Sequence, residues 1–77
     1  MCNYFLIIGT VKKILEDSLM VEQDNQIHRV YLEKSTLDMI LDKLSENMMI
    51  GVRGNFSDEE EHFKLKAQKI VFFGKED

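Results

Sequence analysis

Residues 28–56, HRVYLEKSTLDMILDKLSENMMIGVRGNF, constrain this chain more than any other stretch. His28-Arg29-Val30-Tyr31-Leu32 alternates with a period of two, the pattern of a strand with one buried face. Ser35 offers a hydroxyl to the free amides of a helix start, and Asp38 follows three residues on as in a capping box. Leu37, Ile40, Leu41 and Leu44 fall at i, i+3, i+4 and i+7, so one helical stripe should face inward and be buried. The next strand, Met48 to Phe56, carries Gly51 and Gly54, where a bend, a bulge or a close backbone approach is expected. Few folds lead a strand through one short helix into a glycine-kinked strand.

The 77 residues leave room for a single domain, 1–77. A domain of this size buries only about 60% of its unfolded surface, so a closed barrel, an oligomer contact or both would relieve the deficit. No apolar run approaches the roughly 18 residues of a membrane span. The opening MCNYFLIIGT lacks a basic leader and a small-residue cleavage site, and reads as a first strand rather than an export signal. Cys2 is the single cysteine, which excludes an internal disulfide and points to a reducing cytoplasm.

The remaining elements follow from turns and alternation. Tyr4 to Ile14 forms a long first strand, with Gly9 as the expected kink that lets it serve both halves of a barrel. Glu16-Asp17 makes a turn. In the second strand, Ser18 to Gln23, Leu19 and Val21 share one face and Ser18, Met20 and Glu22 the other. Asp24-Asn25 is a tight hairpin turn, since both residues tolerate left-handed backbone. Gln26 to Glu33 is the third strand, and Ser57 to Glu61 an acidic loop after the fourth. The fifth strand, His62 to Phe73, alternates Phe63, Leu65 and Ala67 against Lys64, Lys66 and Gln68. The result is an all-β fold with one short helix, a five-stranded OB-fold barrel in the order β1-β2-β3-α-β4-β5.

With these segments in place the chain resembles the bacterial single-stranded-DNA-binding protein family. Ile8-Gly9-Thr10-Val11 is similar to the family's I-G-x-V opening, His28-Arg29-Val30-Tyr31-Leu32 to its H-R-V-x-L strand, and Ile50-Gly51-Val52-Arg53-Gly54-Asn55-Phe56 to its V-x-V-x-G-x-L strand. Ala67 to Phe73 resembles its last strand, so the likeness covers nearly the whole chain. It implies binding of single-stranded DNA without sequence preference, in replication, recombination or a mobile element's DNA metabolism, by a dimer or tetramer. Three departures stand out. Ile27 and Glu33 occupy positions where the family has stacking aromatics. The hairpin after the fourth strand is Ser57-Asp58-Glu59-Glu60-Glu61 where the family's is basic. The family's acidic, phenylalanine-ended tail has no counterpart in Gly74-Lys75-Glu76-Asp77, so a short form is expected.

Binding single strands requires a basic groove and exposed aromatic faces, each stacked base contributing roughly 1–3 kcal/mol. With His28, Val30 and Leu32 pointing inward, Arg29 shares the outer face with Tyr31, giving a phosphate contact and a stacking platform on the usual OB ligand surface. Arg53, Lys64 and Lys66 take outward positions on neighbouring strands, and Lys12 and Lys13 end the first. Tyr4, Leu6 and His28 are the expected oligomer contacts. Net charge is −4, yet outside Asp58–Glu61 and Glu76-Asp77 eight acids face ten Lys and Arg, which permits nucleic acid without demanding it. Two His and one Cys make neither a metal-ligand spacing nor a nucleophile–base set, and Gly51 and Gly54 precede no phosphate-loop Lys, so neither an enzyme nor a cofactor is expected. The lost aromatics and the acidic run favour an alternative, an OB-fold module whose partner is protein.

Overall fold

A computed structural model of the chain describes residues 3–59 and 62–75, with side chains over 3–56 and 64–74. The elements are β1 Tyr4–Ile14, β2 Ser18–Gln23, β3 Gln26–Tyr31, α1 Lys34–Ile40, β4 Met48–Glu59 and β5 His62–Lys75. The strands close a barrel in the spatial order β1-β2-β3-β5-β4, and β4 pairs back onto β1. Asp24 and Asn25, at φ 52° and 66°, turn β2 onto β3 as the two left-handed residues of a tight hairpin. Among the described residues only the β3–β5 seam is parallel, and it is short: Val30 faces Leu65 and Tyr31 faces Lys66. A closed five-stranded barrel with its helix between β3 and β4 is the OB fold expected from the element order.

β1 is long because it serves two neighbours. It pairs with β4 from Tyr4 to Thr10 and with β2 from Thr10 to Ile14. Gly9 precedes the handover, and a Cβ there would run into the Glu22 carbonyl, so its role is close approach between strands. The bulge lies further on, between Val11 and Lys13, where the sequence points to Gly9. On β4 the register shifts between Arg53 and Gly54, and a Cβ on Gly54 would collide with the Lys66 carbonyl. This is one of the two glycine positions from which a bulge or close approach is expected.

Ile7, Val11, Leu19, Val21, Val30, Ile50 and Val52 fill the barrel, and Leu32, Leu37 and Leu44 join the same core. Burying each such side chain contributes roughly 1.5–3 kcal/mol. The helix departs from its predicted form. It starts at Lys34 with Glu33 as N-cap and without a side-chain cap bond, so Ser35 lies inside the first turn and caps nothing. After Ile40 the chain tightens into a 3₁₀ turn, Leu41–Lys43. Three residues per turn instead of 3.6 break the stripe, and Leu41, expected inside, is 44% exposed. Ile40 is half-buried.

Strand ends also differ. β3 stops at Tyr31, not Glu33, because the Leu32 amide leaves the ladder to donate to the Asp17 carbonyl at 3.1 Å. β4 continues through Glu59, where a loop from Ser57 is expected, with Asp58 paired to Phe63 and Glu59 to His62. Glu60 and Glu61 lie outside the described residues. Ser18, assigned to the outer face of β2, is fully buried.

Candidate nucleic-acid interface

The inward and outward alternation of β3 holds for Val30 and Leu32 against Ile27, Arg29 and Glu33, whereas His28, expected inside, is no more than half-buried. Val30 and Leu32 are buried, His28 and Tyr31 half-buried, and Ile27, Arg29 and Glu33 exposed. Arg29 is anchored from below: its Nε donates to Ser18 Oγ at 2.9 Å and its Nη2 lies 3.2 Å from Asp17 Oδ1. The Ser18 hydroxyl donates in turn to Asp17 Oδ1 at 2.8 Å. Buried Ser18 thereby finds both an acceptor and a donor, which explains why a polar side chain sits where alternation would put an outward one. The Ser18 and then the Arg29 hydrogen bonds hold the Asp17 carboxyl below its ordinary value of 3.8.

Tyr31 lies two residues beyond Arg29 on the same face. The Arg29 guanidinium carbon stands 4.8 Å from its ring centroid and Lys64 Nζ 4.9 Å. The aromatic face is therefore dressed with two cations before any ligand arrives. The short β3–β5 seam leaves a hollow of ≈ 350 Å³ beside it, lined by Tyr31, Glu33, Asn55, Lys64, Lys66 and Gln68 among others. Lys64 and Lys66 make no ion pair among the described residues.

Gln68 also borders a second hollow with Tyr4 and Arg53. The outer surface thus runs from Tyr31 past Lys64, Lys66 and Gln68 to Arg53 and Tyr4. Tyr4, assigned from sequence to an oligomer contact, is 63% exposed and supplies a second aromatic on this path. Asn55 and Gln68 escape sequence reading because an outward amide on a strand carries no pattern of its own. Lys12 and Lys13 are not part of the path: Lys12 pairs with Glu22 at 3.5 Å, at the β1 bulge, and neither lines these hollows.

Arg53 also borders a third, more apolar hollow of ≈ 190 Å³, formed by Leu6, Ile8, Gly51, Lys69, Val71 and Phe73. Leu6 is 66% and Phe73 55% exposed. Leu6 faces Arg53 across β1 and β4, whereas His28 faces Val21 across β2 and β3, so the three expected interface residues do not form one strip. Among the described residues no group of His, Cys, Asp or Glu is arranged to hold a metal ion.

No family model and no curated protein sequence matches the chain. Solved structures do. The chain superposes on the mitochondrial single-stranded DNA binding protein Rim1 of S. cerevisiae with a TM-score of 0.79 at 9% identity, covering 100% of this chain and 99% of that one. A chain of the S. pombe Stn1-ten1 complex gives 0.69 at 18% identity over 91% of this chain, which spans 57% of that chain's length. An OBody bound to hen egg-white lysozyme gives 0.71 at 15% identity, covering 95% of this chain and 83% of that one. At these identities the likeness establishes the fold alone. It is an OB barrel.

Proposed function

We propose that the chain binds single-stranded DNA along the path from Tyr31 to Tyr4. The observation that carries this reading is the Tyr31 ring set among Arg29 and Lys64 at the edge of a groove whose Lys64 and Lys66 make no ion pair among the described residues. Phosphates would be held by Lys64, Lys66 and Arg53, with Arg29 as a part-committed fourth, and bases would stack on Tyr31 and Tyr4. Phosphate contacts fix the path without reading sequence. The likeness to Rim1, a single-stranded DNA binding protein, supports the same direction. The role in the cell is that of a non-enzymatic DNA-covering protein in the cytoplasm, in replication, recombination or a mobile element's metabolism. The apolar hollow around Leu6 and Phe73 supports assembly into a homo-oligomer.

Titration of fluorescent oligo-dT at several salt concentrations tests this reading. Binding should weaken by about 0.7 log units per tenfold salt for each phosphate held. Absence of binding at low salt would leave the second reading, an OB module for a protein partner. That reading draws on the same exposed Leu6, Ile8, Val71 and Phe73, and on the protein-bound state of the OBody.

A further inference from the structure

We propose that the hollow beside Tyr31 selects guanine in a bound single strand. This rests on the DNA reading above and adds one base-specific position to an otherwise sequence-neutral path. The hollow is bipolar. Lys64 and Lys66 stand in its wall, and Glu33 contributes a carboxylate with no side-chain partner among the described residues. Two amides, Asn55 and Gln68, complete its polar lining. At ≈ 350 Å³ it falls at the small end of ligand sites, about 300–1,000 Å³, which suits one nucleotide.

A carboxylate in a phosphate-binding groove opposes the phosphates, so its presence needs a ligand group that donates. It has only acceptors to offer and can take two parallel hydrogen bonds. Among the bases of DNA, only guanine sets two donors side by side on its Watson–Crick edge, N1–H and the N2 amine. Thymine flanks its single N3–H with carbonyl oxygens that would face the carboxylate. Adenine and cytosine each pair one exocyclic donor with a ring-nitrogen acceptor, gaining one bond and one repulsion. Guanine's O6, next to N1–H, would accept from an amide of Asn55 or Gln68 or from Lys66. Single strands expose this edge, and reading it while the ring stacks on an aromatic is a mode open to any unstacked base. Lys64, now 4.9 Å from the Tyr31 centroid, would yield the ring face to the base and follow the phosphate.

Anisotropy titrations of the full chain with an all-thymine oligonucleotide, and with the same strand carrying one guanine, test this. The guanine strand should bind about five- to tenfold more tightly, the low end of a bidentate contact's discrimination. Replacing that guanine by inosine, which lacks the N2 amine, should remove most of the gain. Glu33→Gln should equalise the guanine and thymine strands and, by removing a charge that opposes the phosphates, tighten binding of the thymine one. Glu33 is exposed, and its side chain caps nothing, so the variant keeps the fold. Equal binding of both strands by the unmodified chain would overturn the selection and leave the DNA reading intact. A preference that persists in Glu33→Gln, or survives inosine, would overturn the assignment to this carboxylate. Failure to bind either strand would overturn both readings together.

Discussion

Arg29 and Ser18 are bound to each other, Nε to Oγ at 2.9 Å, across the β2–β3 ladder. The guanidinium that heads the proposed groove is thus also the donor for a fully buried hydroxyl. One residue joins stability to the proposed function. Removing Arg29 leaves the Ser18 oxygen without that donor and strips a cation from Tyr31. Arg29→Ala should therefore cost about 1 kcal/mol of stability in urea unfolding, as a lost partly buried hydrogen bond does. It should also weaken single-strand binding in titration. If Arg29 served only DNA, the unfolding midpoint would not move.

Asp17 gives this cluster a pH dependence. Its folded carboxyl is held below 3.8 by the Ser18 and Arg29 hydrogen bonds, so folding favours the ionised form. The stability this contributes is complete above the unfolded value and is lost as pH falls through the lower folded one. Thermal midpoints should drop on acidification below about pH 4. In Asp17→Asn that drop should be smaller, while the midpoint at neutral pH is the lower of the two. An identical acid response in both proteins would remove Asp17 as a contributor.

Gly54→Ala should be strongly destabilising. The added methyl meets the Lys66 carbonyl and the Ala67 Cα within the β4–β5 ladder, with backbone on the far side that cannot swing away. Overpacking of this kind costs typically 1–3 kcal/mol. Because the collision lies at the register shift between Arg53 and Gly54, relief would require β5 to slip. Chemical denaturation reads the loss directly, and an unchanged midpoint would show that the two strands lie further apart.

The barrel and most strand limits were legible because alternation and left-handed turn residues act locally: Val30 and Leu32 are inward, and Asp24-Asn25 turns β2 onto β3. What escaped depends on partners remote in sequence. The outward turn of Leu41 follows from a 3₁₀ turn that no helical stripe encodes. Ser18 is inside because Arg29, eleven residues away, reaches down to it. Of the site, Arg29, Tyr31, Lys64 and Lys66 were readable as outward strand residues. Their convergence was not, since the parallel seam that brings Lys64 to Tyr31 joins strands separated by the helix and all of β4. The place of Tyr4 beside the groove was hidden for the same reason: Arg53 and Gln68, which line a hollow with it, come from β4 and β5.

Assembly has its own test. Leu6, Ile8, Val71 and Phe73 leave apolar area on one outer sheet face, where a small domain gains most from a second copy. Light scattering at micromolar concentration should return a multiple of 9.1 kDa. The double change Leu6→Glu and Phe73→Glu should return the single-chain mass while leaving circular dichroism intact, because both side chains are outside the core. A 9.1 kDa particle from the unmodified chain would refute assembly through this patch.

Tyr31 and Lys64 touch each other, so their substitutions separate stacking from charge. Tyr31→Ala should weaken oligo-dT binding by about 1 kcal/mol, the low end for a stacked base, because the ring face must first be cleared of Lys64. The salt slope should hardly change, since no phosphate contact is lost. Tyr31→Phe should bind like the unmodified chain if the ring is what matters. Lys64→Ala should do the opposite and flatten the slope by about 0.7 log units per tenfold salt, one phosphate's share. Its loss of affinity should be partly offset, since the Tyr31 face is then open on that side. If Tyr31→Ala instead flattened the slope, the ring would be acting as a support that positions Lys64, and the stacking platform would have to be sought at Tyr4.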